Sequence, residues 1–137
     1  MKSFRILAIA ALAAVFFTGC MNLEKLLPNV GTWNMSEVNQ KVYQDGTLAT
    51  DTTIYDLGTI TFNDDGTGST TSDNQTTEFT WSYDGDAETI TITEDSTVTT
   101  MDVLESSKKE IKTFNSTEFE FFGVTIKTDM TSTLTKP

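Results

Sequence analysis

Alternation of apolar and polar side chains constrains this chain more than any other feature. In TTEFTWSYD, Phe79, Trp81 and Tyr83 fall on one face while Thr80 and Ser82 fall on the other. The same two-residue period runs through GTITF with Ile60 and Phe62, TITIT with Ile90 and Ile92, and VTIKTDMTSTL with Val124, Ile126, Met130 and Leu134. A period of two is that of a strand with one dry side and one wet side, not of a helix.

Composition points the same way. From residue 20 onward the chain has 26 threonines, whose β-branched side chains fit a pleated sheet, and only two prolines. Asp45-Gly46, Asp65-Gly66 and Asp84-Gly85 are pairs that favour the positive backbone angles of tight hairpins. Together these signals define an all-β, antiparallel domain.

The pattern places strands at 31–44, 52–63, 66–73, 76–84, 88–94, 97–105 and 124–135, with 109–122 as one broken strand or two short ones. In the first, the phase changes between Trp33/Met35 and Val38/Val42, which marks a β-bulge. About eight short strands joined in sequence close most simply as an up-and-down β-barrel, which removes exposed edges; a two-sheet β-sandwich is the competitor.

The segment ahead of this domain has a different character. Lys2 and Arg5 precede an almost wholly apolar run from Ile6 to Phe17, followed by Thr18, Gly19 and the single cysteine, Cys20. This is the layout of an export signal, and the run is shorter than the roughly 20 apolar residues that span a bilayer. Phe17-Thr18-Gly19-Cys20 resembles the lipobox of bacterial lipoproteins. That resemblance implies cleavage before Cys20, acylation of its sulfur and partnership with a membrane through the attached lipid. Two or three acyl chains anchor durably where one holds only marginally.

The expected organisation is therefore a signal peptide at 1–19, a lipidated cysteine with a tether or short helical plug at 20–30, and a barrel domain at 31–137. The plug reading rests on the spacing of Leu23, Leu26 and Leu27 before Pro28. With Cys20 committed to lipid, no internal disulfide braces the domain.

Removing residues 1–19 takes away two of the nine basic residues and none of the twenty acidic ones, so the net charge becomes 7 − 20 = −13. Such an excess disfavours nucleic acid as a partner. An enzyme is not expected either. The chain has no histidine, which removes the commonest general base and metal ligand. Ser106-Ser107-Lys108-Lys109 fits a serine-x-x-lysine spacing, but reads as a hairpin tip. The acidic turns around Gly66 and Gly85 put threonine or serine where a calcium loop needs acids, so no metal site and no cofactor are expected. Asp51-Thr52-Thr53 and Asp95-Ser96-Thr97 look like the short O-glycosylation motif of exported Bacteroidota proteins.

Gly31-Thr32-Trp33, the FNDDGTG hairpin at 62–68, FTWSYDGDAETITI at 79–92 and MDVLE at 101–105 resemble the lipocalin-like domains of small Bacteroidota lipoproteins. The resemblance implies that Trp33 plugs the closed end of the barrel beneath a cationic side chain from the last strands. In lipocalins that cation is an arginine. Here the only arginine is Arg5, in the leader, which leaves Lys127 or Lys136 to cover the ring.

The resemblance further implies a small apolar or amphipathic ligand. Phe79, Trp81 and Tyr83 are candidates for either core or ligand wall, and Phe119 and Phe121 are candidates for the wall, with Phe122 on the opposite face. The alternative function is a packed barrel that docks a protein or glycan on its outer surface. Surface lipoproteins of that phylum often carry an acidic cluster just after the cysteine; this chain has a single acid there, Glu24, so the resemblance implies the periplasmic face of the outer membrane over the cell surface.

Overall fold

A computed structural model describes residues 30–137. The expected signal peptide at 1–19, Cys20 and the leucine-spaced stretch expected as a tether or short helical plug lie outside the described residues.

Nine antiparallel strands follow one another: β1 Gly31–Gln44, β2 Thr47–Tyr55, β3 Thr59–Phe62, β4 Thr67–Ser72, β5 Gln75–Asp84, β6 Thr89–Glu94, β7 Thr97–Ser106, β8 Glu110–Phe121 and β9 Val124–Thr135. Each pairs with its sequence neighbour from β3 to β9. Gly31–Asn34 of β1 pairs with β3 and Asn34–Gln44 pairs with β9, which closes an eight-stranded barrel. Strand β2 is the extra member, hydrogen-bonded to β1 alone.

The segment expected as one strand at 52–63 is thus two, laid end to end along the same edge of β1. Between them Leu57 N donates to Met35 O at 3.0 Å and Met35 N donates to Gly58 O at 2.9 Å, so the break stays tied to β1. Gly58 holds a φ of +114°, and a Cβ there would stand 2.0 Å from the Thr71 carbonyl oxygen. Only glycine lets the chain pass this close to β4. Conversely, 110–121 is a single strand.

The bulge read from the phase change in β1 is present: the β1–β9 register shifts between Met35 and Glu37. Asp45 and Gly46, at φ 49° and 79°, make the two-residue turn expected of that pair. Other tight turns use Asp73-Asn74 and Phe122-Gly123, where Phe122 takes a φ of 51° that asparagine or glycine would accept with less strain.

The core fills one end of the barrel. Trp33, Phe62, Ile90 and Ile111 are fully buried, joined by Ile60, Phe79, Trp81, Tyr83 and Leu134. The Phe62 ring meets Trp81 edge-on at 4.7 Å and Phe79 at 5.9 Å. Trp81 Nε1 donates to the carbonyls of Asn63 and Thr67 at 3.1 and 3.0 Å, which satisfies its polar tip inside the core. Phe79 lies across Gly68 on the paired strand: a Cβ at 68 would stand 2.3 Å from the ring and 2.6 Å from Thr61 O.

Trp33 is fully buried at this end, and the cation over it is Lys136, whose Nζ sits 4.3 Å from the ring centroid. Lys127 instead lies over Tyr43 at 5.6 Å. Lys136 N donates to Lys109 O at 3.0 Å, so the chain end and the β7–β8 hairpin together seal the floor. The indole Nε1 of Trp33 is buried without a hydrogen-bond partner among the described residues.

Candidate functional site

Away from the floor the wall stops being continuous. Strand β7 pairs with β8 only from Asp102 to Ser106, opposite Ile111 to Phe114; among the described residues, 115–121 of β8 pair with β9 alone. On the far side β2 has β1 as its only strand partner among the described residues. The four strands β2-β1-β9-β8 therefore continue past the barrel as a projecting sheet. Its two hairpin tips are tied together: Asp45 N donates to Thr125 O and Thr125 N to Asp45 Oδ1, both at 2.9 Å.

Register decides what each face of this sheet carries. Ile111 and Leu134 are paired and buried, so residues in step with them face inward. On β8 and β9 that set is Asn115, Thr117, Phe119 and Phe121 opposite Met130, Thr128, Ile126 and Val124. After the bulge, β1 adds Val38 and Val42, and β2 adds Ile54 opposite Val38. Phe119, Phe121 and Ile54 keep 55%, 62% and 45% of their surface exposed. The inward side above the sealed floor is thus an open apolar face interrupted by hydroxyls and amides.

The outward face is charged and internally paired. Lys41 lies 3.9 Å from Asp51, Lys127 lies 3.3 Å from Asp129, and Ser116 Oγ donates to Asp129 at 2.6 Å. The Ser116 hydroxyl, helped by Lys127, holds the Asp129 carboxyl below the usual aspartate range.

At the β6–β7 hairpin, Ile92, Glu94, Asp95, Thr97 and Thr99 line a hollow of about 220 Å³. A different concavity, of about 620 Å³, spans β4 to β6. Its lining includes Thr67, Ser69, Glu78, Thr80, Thr93 and Asp95, so it offers hydroxyls and carboxylates.

The structure separates the five aromatic candidates. Phe79, Trp81 and Tyr83 are only 6%, 5% and 7% exposed and belong to the packed floor, not to an open ligand wall. Their alternation is equally compatible with either role; closure of the barrel at their level decides it. Burial, followed by the nearby Glu88, Asp84 and Asp86 carboxylates, raises the Tyr83 phenol above the ordinary tyrosine range. Phe119 and Phe121 share the open face as expected. Phe122, expected on the opposite face, occupies the turn, 92% exposed, with its ring 4.5 Å from Phe121.

Ile126, Met130, Val38 and Ile54 join the two phenylalanines on this face, a grouping that the sequence alone does not reveal. The available signal was in-phase alternation on the last strand, but the pairing of β9 with β8 and β1 is what collects them. Ser107 Oγ accepts from Lys109 N and Glu110 N at 3.2 and 3.0 Å, so the serine-lysine stretch is a capped turn at the β7–β8 hairpin.

A closed antiparallel barrel with a buried tryptophan at one end and an apolar face at the other places the chain among small β-barrel domains. A family model described as a lipocalin-like domain matches residues 30–121, and the chain belongs to that family. No curated protein and no solved structure matches the chain. The matched span ends at the last residue of β8, and β9 beyond it supplies the pairing with β1 that closes the barrel.

Proposed function

We propose that this protein is a lipid-anchored lipoprotein of the bacterial envelope whose barrel binds a small apolar or amphipathic molecule against the inward face of the projecting sheet. The set Phe119, Phe121, Ile126 and Met130 supports this reading: it is joined to the barrel mouth above a filled floor, with the two phenylalanines exposed and Ile126 and Met130 half-buried. Small-molecule sites combine apolar walls with a few polar groups, and Asn115, Thr117 and Thr128 supply such groups within the same face. Because the floor is packed, the ligand lies across the mouth and not deep within the barrel. Anchoring is assigned to Cys20, and the periplasmic side of the outer membrane is the proposed location.

Titration with N-phenyl-1-naphthylamine, an uncharged fluorophore that brightens in apolar surroundings, tests the binding reading. Saturable enhancement that Ile126→Glu abolishes supports it. Enhancement that is absent, or indifferent to that change, contradicts it.

A second reading is docking of a protein or glycan on the outer surface. It is favoured by the 620 Å³ concavity, whose threonines and carboxylates suit hydroxyl-rich partners. Glycan-array binding sensitive to Thr80→Val would select this reading over the first.

A further inference from the structure

The seam between β7 and β8 is a break in the ladder with defined chemistry on both surfaces. Antiparallel pairing of the two strands ends at Asp102 and Phe114. Above it, Asn115–Phe121 bonds to β9 on one side, and alternate backbone N–H and C=O groups point away on the other with no strand beside them among the described residues. Residues 116–121 are all exposed. A free strand edge of this length is a template for another strand.

The side chains on this edge select what such a strand must be. Inward, Thr117, Phe119 and Phe121 call for apolar neighbours. Outward, Glu118 and Glu120 stand on β8 and Asp102 stands at the base of the seam, none with an ion pair among the described residues. Lys127 is opposite Glu118 in register, but its ammonium is turned to Asp129, 3.3 Å away. Directly opposed like charges destabilise a strand pair, and opposite charges stabilise it. A second copy aligned antiparallel on this edge places Glu118 against Glu118 at full overlap and against Glu120 after a two-residue shift; the opposite shift would set Glu120 against Phe114, which Asp102 already pairs. The acidic chain thereby disfavours its own edge-to-edge association.

We propose that the free edge of β8, Asn115–Phe121, takes up an extended segment of another protein whose side chains alternate apolar and basic. The added strand continues the sheet, turns its apolar residues inward beside Phe119 and Phe121, and sets its cations against Glu118 and Glu120. Main-chain hydrogen bonds hold it and the alternating contacts give it register. This goes beyond the small-molecule reading and does not depend on it, since it rests on the backbone edge and the outward carboxylates.

The test uses the full chain in nanodiscs of zwitterionic lipid and a fluorescent peptide of sequence Val-Lys-Val-Lys-Val-Thr-Val, followed by anisotropy. Its partners are the same peptide with glutamate for lysine, and the lysine peptide N-methylated on alternate amides in each of the two possible phases. Saturable binding of the lysine peptide is expected, with a roughly tenfold preference over the glutamate peptide. N-methylation of one phase, and not the other, should abolish it. The double change Glu118→Lys/Glu120→Lys should reverse the charge preference while leaving N-phenyl-1-naphthylamine binding intact.

Binding that survives both N-methylated forms would show general attraction of a cation to an acidic protein and would overturn the proposal. So would a charge preference unmoved by the double change, or no binding by any of the peptides. Loss of naphthylamine binding by Ile126→Glu, with peptide behaviour unchanged, would separate the fate of the two readings.

Discussion

Replacing Lys136 by methionine keeps most of the side-chain stem and removes its charge from above Trp33. The ammonium stands 4.3 Å from the centroid of a ring that is 0% exposed, so the contact is desolvated on the indole side. A cation over a tryptophan face contributes from about 0.5 kcal/mol at exposed sites to about 2 kcal/mol when desolvated. The Lys136 backbone bond to Lys109 is retained in the variant, so about 1.5 kcal/mol is the expected loss.

With a urea dependence of about 2 kcal/mol per M, the unfolding midpoint should fall by roughly 0.7 M. A double-mutant cycle with Trp33→Leu isolates the pair term, because any other interaction of Lys136 is common to both legs. Equal losses from Lys136→Met in the presence and absence of Trp33 would refute the argument. The floor would then be sealed by packing alone, and the lysine would not replace a lipocalin arginine.

Gly68→Ala should cost about 3 kcal/mol and lower Tm by roughly 10 °C, since the new methyl meets Phe79 and the fixed Thr61 carbonyl; differential scanning calorimetry reads it, and a change under about 2 °C would contradict the packing described. The depressed Asp129 contributes stability that is full above the carboxylate's unfolded pKa near 4 and is lost as pH falls through its lower folded value. Asp129→Asn should therefore flatten the acid limb of a stability–pH curve while leaving the alkaline limb unchanged. The proposed anchoring at Cys20 predicts an acyl mass on the mature protein by intact mass spectrometry that Cys20→Ser lacks; equal masses apart from the substitution would contradict it.

Much of the architecture is legible in the order of the residues. Alternation in 76–84 and 124–135 gives strands, Asp45-Gly46 gives a hairpin, and the phase change after Met35 locates a bulge that the register shift confirms. These are local signals, set by side chains a few residues apart. What the sequence leaves open is decided by long-range closure. Nothing local distinguishes the Phe79–Trp81–Tyr83 ladder, buried against Phe62 and Gly68, from the Phe119–Phe121 ladder, exposed because β7 parts from β8 below it.

The split of 52–63 into β2 and β3 likewise depends on Gly58 passing beside Thr71, a contact thirteen residues away in sequence. The choice of Lys136 over Lys127 follows from where β9 ends, since Lys127 lies near the opposite end of that strand, above Tyr43.

Carriage of a small apolar ligand on the open inward face is the property on which the proposed role stands or falls. Native mass spectrometry tests it most directly: residues 21–137, which contain every strand of the closed barrel, are exposed to a lipid extract of the host's own envelope. The account expects one added mass per chain, lost when Ile126 becomes glutamate or Phe121 is enlarged to tryptophan, and retained in Thr80→Val. A chain that stays at its bare mass across the whole extract, or an adduct that neither change removes, would contradict it.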